Sequence, residues 1–174
     1  MAARERFVAG PDFATASASL AQHLSAVLAQ LEPARLGLYW AMRGEFDAAA
    51  AIAADPLLAS IPRALPYTHR TPREMVFRAW DGKPPAAQDE CGIPTSLGEV
   101  VVPDVVLAPC VGFSADGSYR LGYGGGYFDR WLAAHPHVTA VGVAWSVGRM
   151  AAEAYAPEPH DIPLAVVVCE NGVA

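Results

Sequence analysis

The run Asp104-Val105-Val106-Leu107-Ala108-Pro109-Cys110 constrains the fold more than any other part of the chain. Its apolar residues are continuous rather than alternating, so an extended segment there must be buried on both faces. A strand of that kind needs a layer of helices on each side. Val138 to Trp145 and Leu164 to Cys169 have the same character. Helical patterns precede and separate these strands. From Pro11 to Leu31 the apolar residues Phe13, Ala16, Leu20, Leu24, Val27, Leu28 and Leu31 recur at helical spacing, with Asp12 near the start and Pro33 beyond the end. Phe46 to Ala54 is an alanine-rich helix stopped near Pro56, Tyr127 to Ala134 is a helix, and Met150 to Tyr155 is a short one. Leu36 to Met42, Ala64 to Tyr67 and Met75 to Trp80 are expected as strands. Asp81 to Ser96 is expected as loop, and Gly112 to Gly126 is too rich in glycine for regular structure. Strands alternating with helices predict an α/β fold: a three-layer, mostly parallel sheet with helices on both faces, a Rossmann-like single domain spanning residues 1–174.

Composition narrows the function classes. Hydrophobic residues make up 53% of the 174, which excludes a disordered chain. The net charge is −6, from 12 basic and 18 acidic residues, and no basic cluster stands out in the sequence. Nucleic acid is therefore not an expected partner, because neutralising phosphates needs grouped Lys and Arg. Lys83 is the only lysine, so basic chemistry falls on arginine. Cys91, Cys110 and Cys169 match no zinc or redox spacing and are expected to be free thiols in a reducing compartment. No apolar run is long enough to span a membrane, and residues 1–7 do not resemble a signal peptide, so a cytoplasmic protein is expected.

The segment Arg120-Leu121-Gly122-Tyr123-Gly124-Gly125-Gly126-Tyr127-Phe128-Asp129-Arg130 lies between an expected buried strand and a helix. In open α/β sheets ligands bind beyond the carboxyl ends of strands, where such loops sit. Glycines let backbone N–H groups converge on an anion, and the helix N-terminus adds partial positive charge. Asp129, in the first helical turn, points back at the loop. A carboxylate beside a phosphate makes sense with Mg²⁺ between them, and Arg120 is a suitable fork for phosphate oxygens. The segment matches neither the dinucleotide fingerprint nor the P-loop. The residues by themselves thus predict an anion site, with a plain strand-to-helix turn as the alternative.

The stretch Leu107 to Leu132 resembles the signature of the 5-formyltetrahydrofolate cyclo-ligase family. The resemblance extends to Leu38-Tyr39-Trp40-Ala41-Met42-Arg43-Gly44-Glu45, to Met75–Trp80, to Gly92-Ile93-Pro94 and to Pro157-Glu158-Pro159-His160-Asp161, covering roughly residues 13–170. It implies an ATP- and Mg²⁺-dependent ligase that converts 5-formyltetrahydrofolate to 5,10-methenyltetrahydrofolate with release of ADP and phosphate. Its partners would be two small molecules, a reduced folate and ATP, with monomer and dimer both compatible. By this resemblance Arg120, Leu121, Gly122, Tyr123, Gly124, Gly125, Gly126, Tyr127 and Phe128 bind ATP. Trp40, Glu45, Tyr123, Tyr127 and Phe128 bind the folate, Asp129 and Asp161 hold Mg²⁺, and Arg120 and Glu45 are the catalytic candidates. The reaction needs no protein nucleophile, so Cys110 is expected to be an inert buried thiol.

The chain also departs from the family pattern. Members begin with a helix carrying a Lys and an Arg that reach the ATP phosphates. Here only Arg4 and Arg6 precede Phe13, on a short segment interrupted by Gly10-Pro11 and expected to be mobile. Ser114 stands where Asp or Asn is common, Phe128 replaces a Tyr, and Ala165 replaces an Asp. The absent clamp supports a second reading, a non-catalytic nucleotide- or folate-binding paralogue. A third is an α/β enzyme acting on another phosphorylated metabolite.

Overall fold

A computed structural model describes residues 2–154 and 156–174. Helix α1 (Ala2–Val8) leads through a turn into the long helix α2 (Phe13–Leu31). Leu20, Leu24 and Leu28 repeat every four residues and are fully buried, so α2 presents one apolar stripe to the sheet. It ends where Glu32 turns left-handed (φ 45°) and donates its N–H to Leu28 O, with Pro33 following. Strand β1 (Leu36–Gly37) comes next, then α3 (Ala48–Ala54), β2 (Arg63–His69), β3 (Glu74–Trp80), β4 (Ala87–Gln88), β5 (Pro94–Thr95) and β6 (Val100–Val101). The chain continues through β7 (Val105–Pro109), β8 (Gly112–Phe113), β9 (Arg120–Leu121), α4 (Tyr127–Ala134), β10 (Thr139–Val143), β11 (Val166–Cys169) and β12 (Gly172–Val173).

The main sheet has eight strands in the order β12-β11-β10-β7-β1-β2-β3-β6. The five central strands from β11 to β2 run parallel, while β12, β3 and β6 pair antiparallel at the two sides. The continuous apolar run Val105–Pro109 forms β7, at the centre. Val105 and Leu107 join one core cluster with Leu20, Leu24, Leu28 and Ile52 of α2 and α3. Val106 and Ala108 join a second with Trp131 and Leu132 of α4. Two-residue alternation thus feeds a core on each face, and the result is the three-layer arrangement expected.

Several local expectations are corrected. The strand expected over Leu36 to Met42 stops at Gly37. Leu38 still donates to Ala64 O, but then local bonds replace the ladder. The Tyr39 hydroxyl donates to Phe46 O at 2.7 Å, and Met42 N donates to the Glu45 carboxylate at 2.9 Å. The helix expected from Phe46 starts at Ala48, because Asp47 caps it by accepting the Ala50 N–H at 2.9 Å. The loops at 81–96 and 112–126 contain two short antiparallel pairs, β4–β5 and β8–β9. Residues 152–154 form a single 3-10 turn rather than a helix; Tyr155, at the end of the expected helix, lies outside the described residues. The segment 2–8, expected to be mobile, is the docked helix α1, with Arg4 buried and Phe7 against Trp145 at 5.1 Å between ring centroids. No helix among the described residues is long and apolar enough to cross a membrane.

Candidate active site

The sheet order reverses between β1 and β7. From β1 the chain moves to β2 on one side, and from β7 to β10 on the other. Loops leaving the carboxyl ends of two such strands diverge and leave a crevice, the ordinary position of a ligand site in an open parallel sheet. A cavity of about 820 Å³ lies there. All thirteen residues expected to bind ligands line it: Trp40 and Glu45 from the segment after β1, Arg120 to Asp129 from the glycine loop and first turn of α4, and Asp161.

The glycine loop is anchored at both ends. At one end the β8–β9 pair places Arg120 in the interior, 5% of its side chain exposed. Its Nη2 donates to Asp129 Oδ2 at 2.8 Å, and its guanidinium lies 5.1 Å over the Phe128 ring. The Nε is buried without a hydrogen-bond partner, so the fork has one arm satisfied by protein and donor capacity left over. At the other end Gly126 caps α4 with φ 63°, and no side chain caps that helix. Gly124, at φ 82°, has open space where a Cβ would stand. These left-handed positions suit glycine and keep the loop backbone bare on the cavity side. Asp129 sits in the first turn of α4, as its position predicts.

Another part of the lining is built around Glu45. Its carboxylate accepts from Met42 N and from the Tyr123 hydroxyl, each at 2.9 Å. Its side chain is 4% exposed, and burial holds its pKa above the ordinary carboxylate value. A carboxylate aimed at the following helix would have explained this residue without a ligand; instead Asp47 caps α3 and Glu45 faces the cavity. Arg4 arrives from α1, donating to the Tyr123 hydroxyl at 2.6 Å, with Nη1 4.0 Å from Glu45 Oε1. The Arg43 guanidinium lies 5.4 Å from the centroid of the Tyr123 ring and that of Arg4 5.8 Å, so two cations sit beside that ring. Arg6, by contrast, is exposed. Trp40 is half-buried, edge-on to Trp80 at 6.3 Å, and forms part of the cavity wall.

Sequence reasoning missed the buried carboxylate of Asp89, whose oxygens accept from Thr68 N, Thr68 Oγ1, Cys91 N and Ile93 N. It shapes the loop that brings Cys91 to the cavity, 3.5 Å from the Tyr127 hydroxyl. Nothing in the local pattern separates Asp89 from an ordinary loop Asp. Asp161 accepts the Glu158 N–H at 2.8 Å and keeps 20% of its side chain exposed. Cys110 is buried, and burial pushes its thiol up to about 12, so it is not a thiolate at neutral pH.

The fold is a three-layer α/β architecture with a cavity, the candidate ligand site, at the sheet's switch point. The sequence profile of the 5-formyltetrahydrofolate cyclo-ligase family matches residues 1–170, and the chain belongs to that family of folate ligases. Two solved structures share its architecture. One is a 5,10-methenyltetrahydrofolate synthetase from Mycoplasma pneumoniae, 20% identical with a TM-score of 0.70 over 97% of each chain, a likeness that bears on the fold alone. The other is a 5,10-methenyltetrahydrofolate synthetase from Aquifex aeolicus, 25% identical with a TM-score of 0.73 over 98% of this chain and 87% of that one. No curated protein sequence matches significantly.

Proposed function

We propose that this chain converts 5-formyltetrahydrofolate to 5,10-methenyltetrahydrofolate, using ATP with Mg²⁺ and releasing ADP and phosphate. The observation that carries the reading is the single cavity that joins the Glu45 wall to the Arg120–Asp129 loop, beside the family match. The two halves suit two different ligands. The bare glycine backbone, the spare donor of Arg120 and the uncapped α4 N-terminus suit phosphate oxygens. The buried acceptor Glu45 and the aromatic Trp40 suit a flat, nitrogen-rich ring.

In the proposed reaction the formyl oxygen attacks the γ-phosphorus of ATP, and ADP leaves. N10 then attacks the formyl carbon and loses its proton. The N5 lone pair finally expels phosphate, leaving the N5–C–N10 amidinium of the product. Residues of the chain bind and orient. Arg120 stabilises charge spreading over the transferred phosphoryl oxygens, and Glu45 fixes the pterin so that formyl oxygen and phosphorus are in line. Asp129 and Asp161 are the carboxylates that would hold Mg²⁺, which supplies charge neutralisation on the phosphates. Among the described residues no three His, Cys, Asp or Glu side chains cluster as a metal cage. One or two carboxylates fit Mg²⁺, whose shell is commonly completed by phosphates and water.

The test is turnover: purified protein with 5-formyltetrahydrofolate, ATP and Mg²⁺, followed by the absorbance of the methenyl product. Product formation that requires both ATP and Mg²⁺ is expected. Binding of both ligands without turnover would establish the non-catalytic paralogue instead.

A further inference from the structure

Among the described residues, Glu32 and Arg43 are the two non-glycines with a left-handed backbone, at φ 45° and 51°. Glu32 closes the C-terminus of α2, which accounts for it. No helix end accounts for Arg43. With Gly44, at φ 76°, it forms the centre of a tight turn in which the Glu45 N–H donates to Met42 O at 2.9 Å. Positive φ at both central positions is the type I′ pattern, which favours Asn-Gly or Gly-Gly because a long side chain crowds the backbone there. An arginine in that position is therefore a conformational cost, and such costs cluster at ligand sites. The turn sets the exposed Arg43 side chain on the cavity lining, beside the Tyr123 ring of the glycine loop. The Tyr123 hydroxyl in turn donates to Glu45 Oε1 at 2.9 Å, so Arg43 stands where the loop and the Glu45 part of the lining meet.

Charge points the same way. The described lining residues include five carboxylates, two arginines and no lysine. Arg120, one of the two, is paired with Asp129 at 2.8 Å, so together they bring no net charge to the glycine loop. Arg43 forms no ion pair among the described residues. Resting on the function proposed above, we infer that Arg43 is a phosphate-binding residue whose guanidinium leaves the Tyr123 ring to hold the γ-phosphoryl oxygens of ATP. In that reading the pterin is fixed at Glu45 and the nucleotide lies along the glycine loop. The phosphoryl group in transit then passes the junction where Arg43 stands. A guanidinium fork matches phosphoryl oxygens, and its charge counters what spreads over them in the transfer. Arg43 supplies charge and hydrogen-bond donors only; it gives up no proton and forms no covalent bond. Carboxylates of the folate are the other source of anionic oxygen at this place.

The experiment compares the wild type with Arg43→Asn, Arg43→Gly and Arg43→Lys. Asn and Gly suit a left-handed turn, so the first two should keep the fold and raise the Tm of the unliganded protein by roughly 2–4 °C. Calorimetry should find MgATP bound roughly tenfold more weakly by both, with MgADP and 5-formyltetrahydrofolate within about twofold of wild type. Turnover should slow at least as far, Arg43→Lys should lie between, and guanidinium ion added to Arg43→Gly should restore part of the rate. A residue with a merely structural role would not pair higher stability with slower turnover, nor respond to guanidinium. Unchanged MgATP affinity and kcat in Arg43→Asn would overturn the inference and leave the turn as local geometry only. Equal weakening of MgATP and MgADP would also overturn it, by moving the contact to phosphates that stay on the nucleotide. Weakened folate binding with MgATP binding intact would give Arg43 to the folate carboxylates instead. A wild type that binds MgATP without turnover would refute the proposed function, and the calorimetric comparison of MgATP with MgADP would then decide the Arg43 contact by itself.

Discussion

Replacing Asp129 with alanine separates what the Arg120–Asp129 pair does for stability from what it does for ligand binding. The two groups are 2.8 Å apart, with 5% and 17% of their side chains exposed. Removing one partner of a buried pair leaves the other charge uncompensated, at a cost of about 3–5 kcal/mol. Asp129 retains some contact with the cavity and Arg120 still lies over the Phe128 ring, so the low end, about 3 kcal/mol, applies. With an unfolding entropy of about 2.1 cal/mol/K per residue, a 174-residue chain loses about 8 °C in Tm for that amount.

The assay is thermal unfolding of four proteins, wild type, Asp129→Ala, Arg120→Met and the double variant, each with and without MgATP. In the Arg120→Met background no buried cation remains to be orphaned, so Asp129→Ala should then cost less than about 1 kcal/mol, a coupling of about 2 kcal/mol. MgATP should raise the wild-type Tm by linkage and should do so less in every variant lacking Asp129. An Asp129→Ala cost that is the same in both backgrounds would refute the electrostatic reasoning. An unchanged MgATP shift in Asp129→Ala would refute the metal role.

Three further outcomes are expected. Glu45→Gln should impair folate KM or kcat more than the KM for ATP. Burial raises the Glu45 pKa, so the folded wild type is penalised at neutral pH and relieved as pH falls through that raised value; the variant should be the more stable at pH 7, with the advantage vanishing near the ordinary carboxylate range, and a pH-independent difference would count against this. Arg4→Ala should cost about 1–2 kcal/mol and slow folate turnover, because it strips the Tyr123 hydroxyl of its donor and Glu45 of its nearest cation, whereas Arg6→Ala should be silent; indistinguishable variants would remove α1 from the site. Cys110→Ala should turn over normally, given a thiol pushed up to about 12, and a folded but inactive variant would sink the proposed chemistry.

The parts of this molecule that were readable in sequence are those whose signal is local. Leu20, Leu24 and Leu28 announce α2 by their spacing, and Val105 to Ala108 announce a strand covered on both faces. The glycine loop declares itself because few structures tolerate that composition. Leu36 to Met42 was misleading because its aromatic residues suit a strand equally well and suit what they do here, which is to turn away and wall a cavity. Arg4 was legible only as one of two arginines ahead of Phe13; its place in the site was not, because its partner Tyr123 is 119 positions away and only the docking of α1 beside the glycine loop joins them. Asp89 is hidden for the same reason, since two of its four donors belong to Thr68, 21 positions earlier.

These long-range contacts have a common electrostatic consequence. Folding buries a guanidinium whose Nε has no partner at Arg120, and a carboxylate at Glu45 whose pKa rises because burial outweighs its hydrogen bonds and the nearby arginines. Both are unfavourable in the ligand-free protein, since desolvated charge with unused hydrogen-bonding capacity destabilises the fold. Both groups line one cavity. In the proposed reaction an anionic phosphoryl group would meet the first deficit and a ring of hydrogen-bond donors the second, so each ligand would gain from donors or acceptors that need no reorganisation. The chemistry proposed here places the new bond between those two ligands. Two pre-oriented deficits lining one cavity would serve the proposed reaction, in which the protein's contribution is to align a phosphoryl donor with a formyl oxygen.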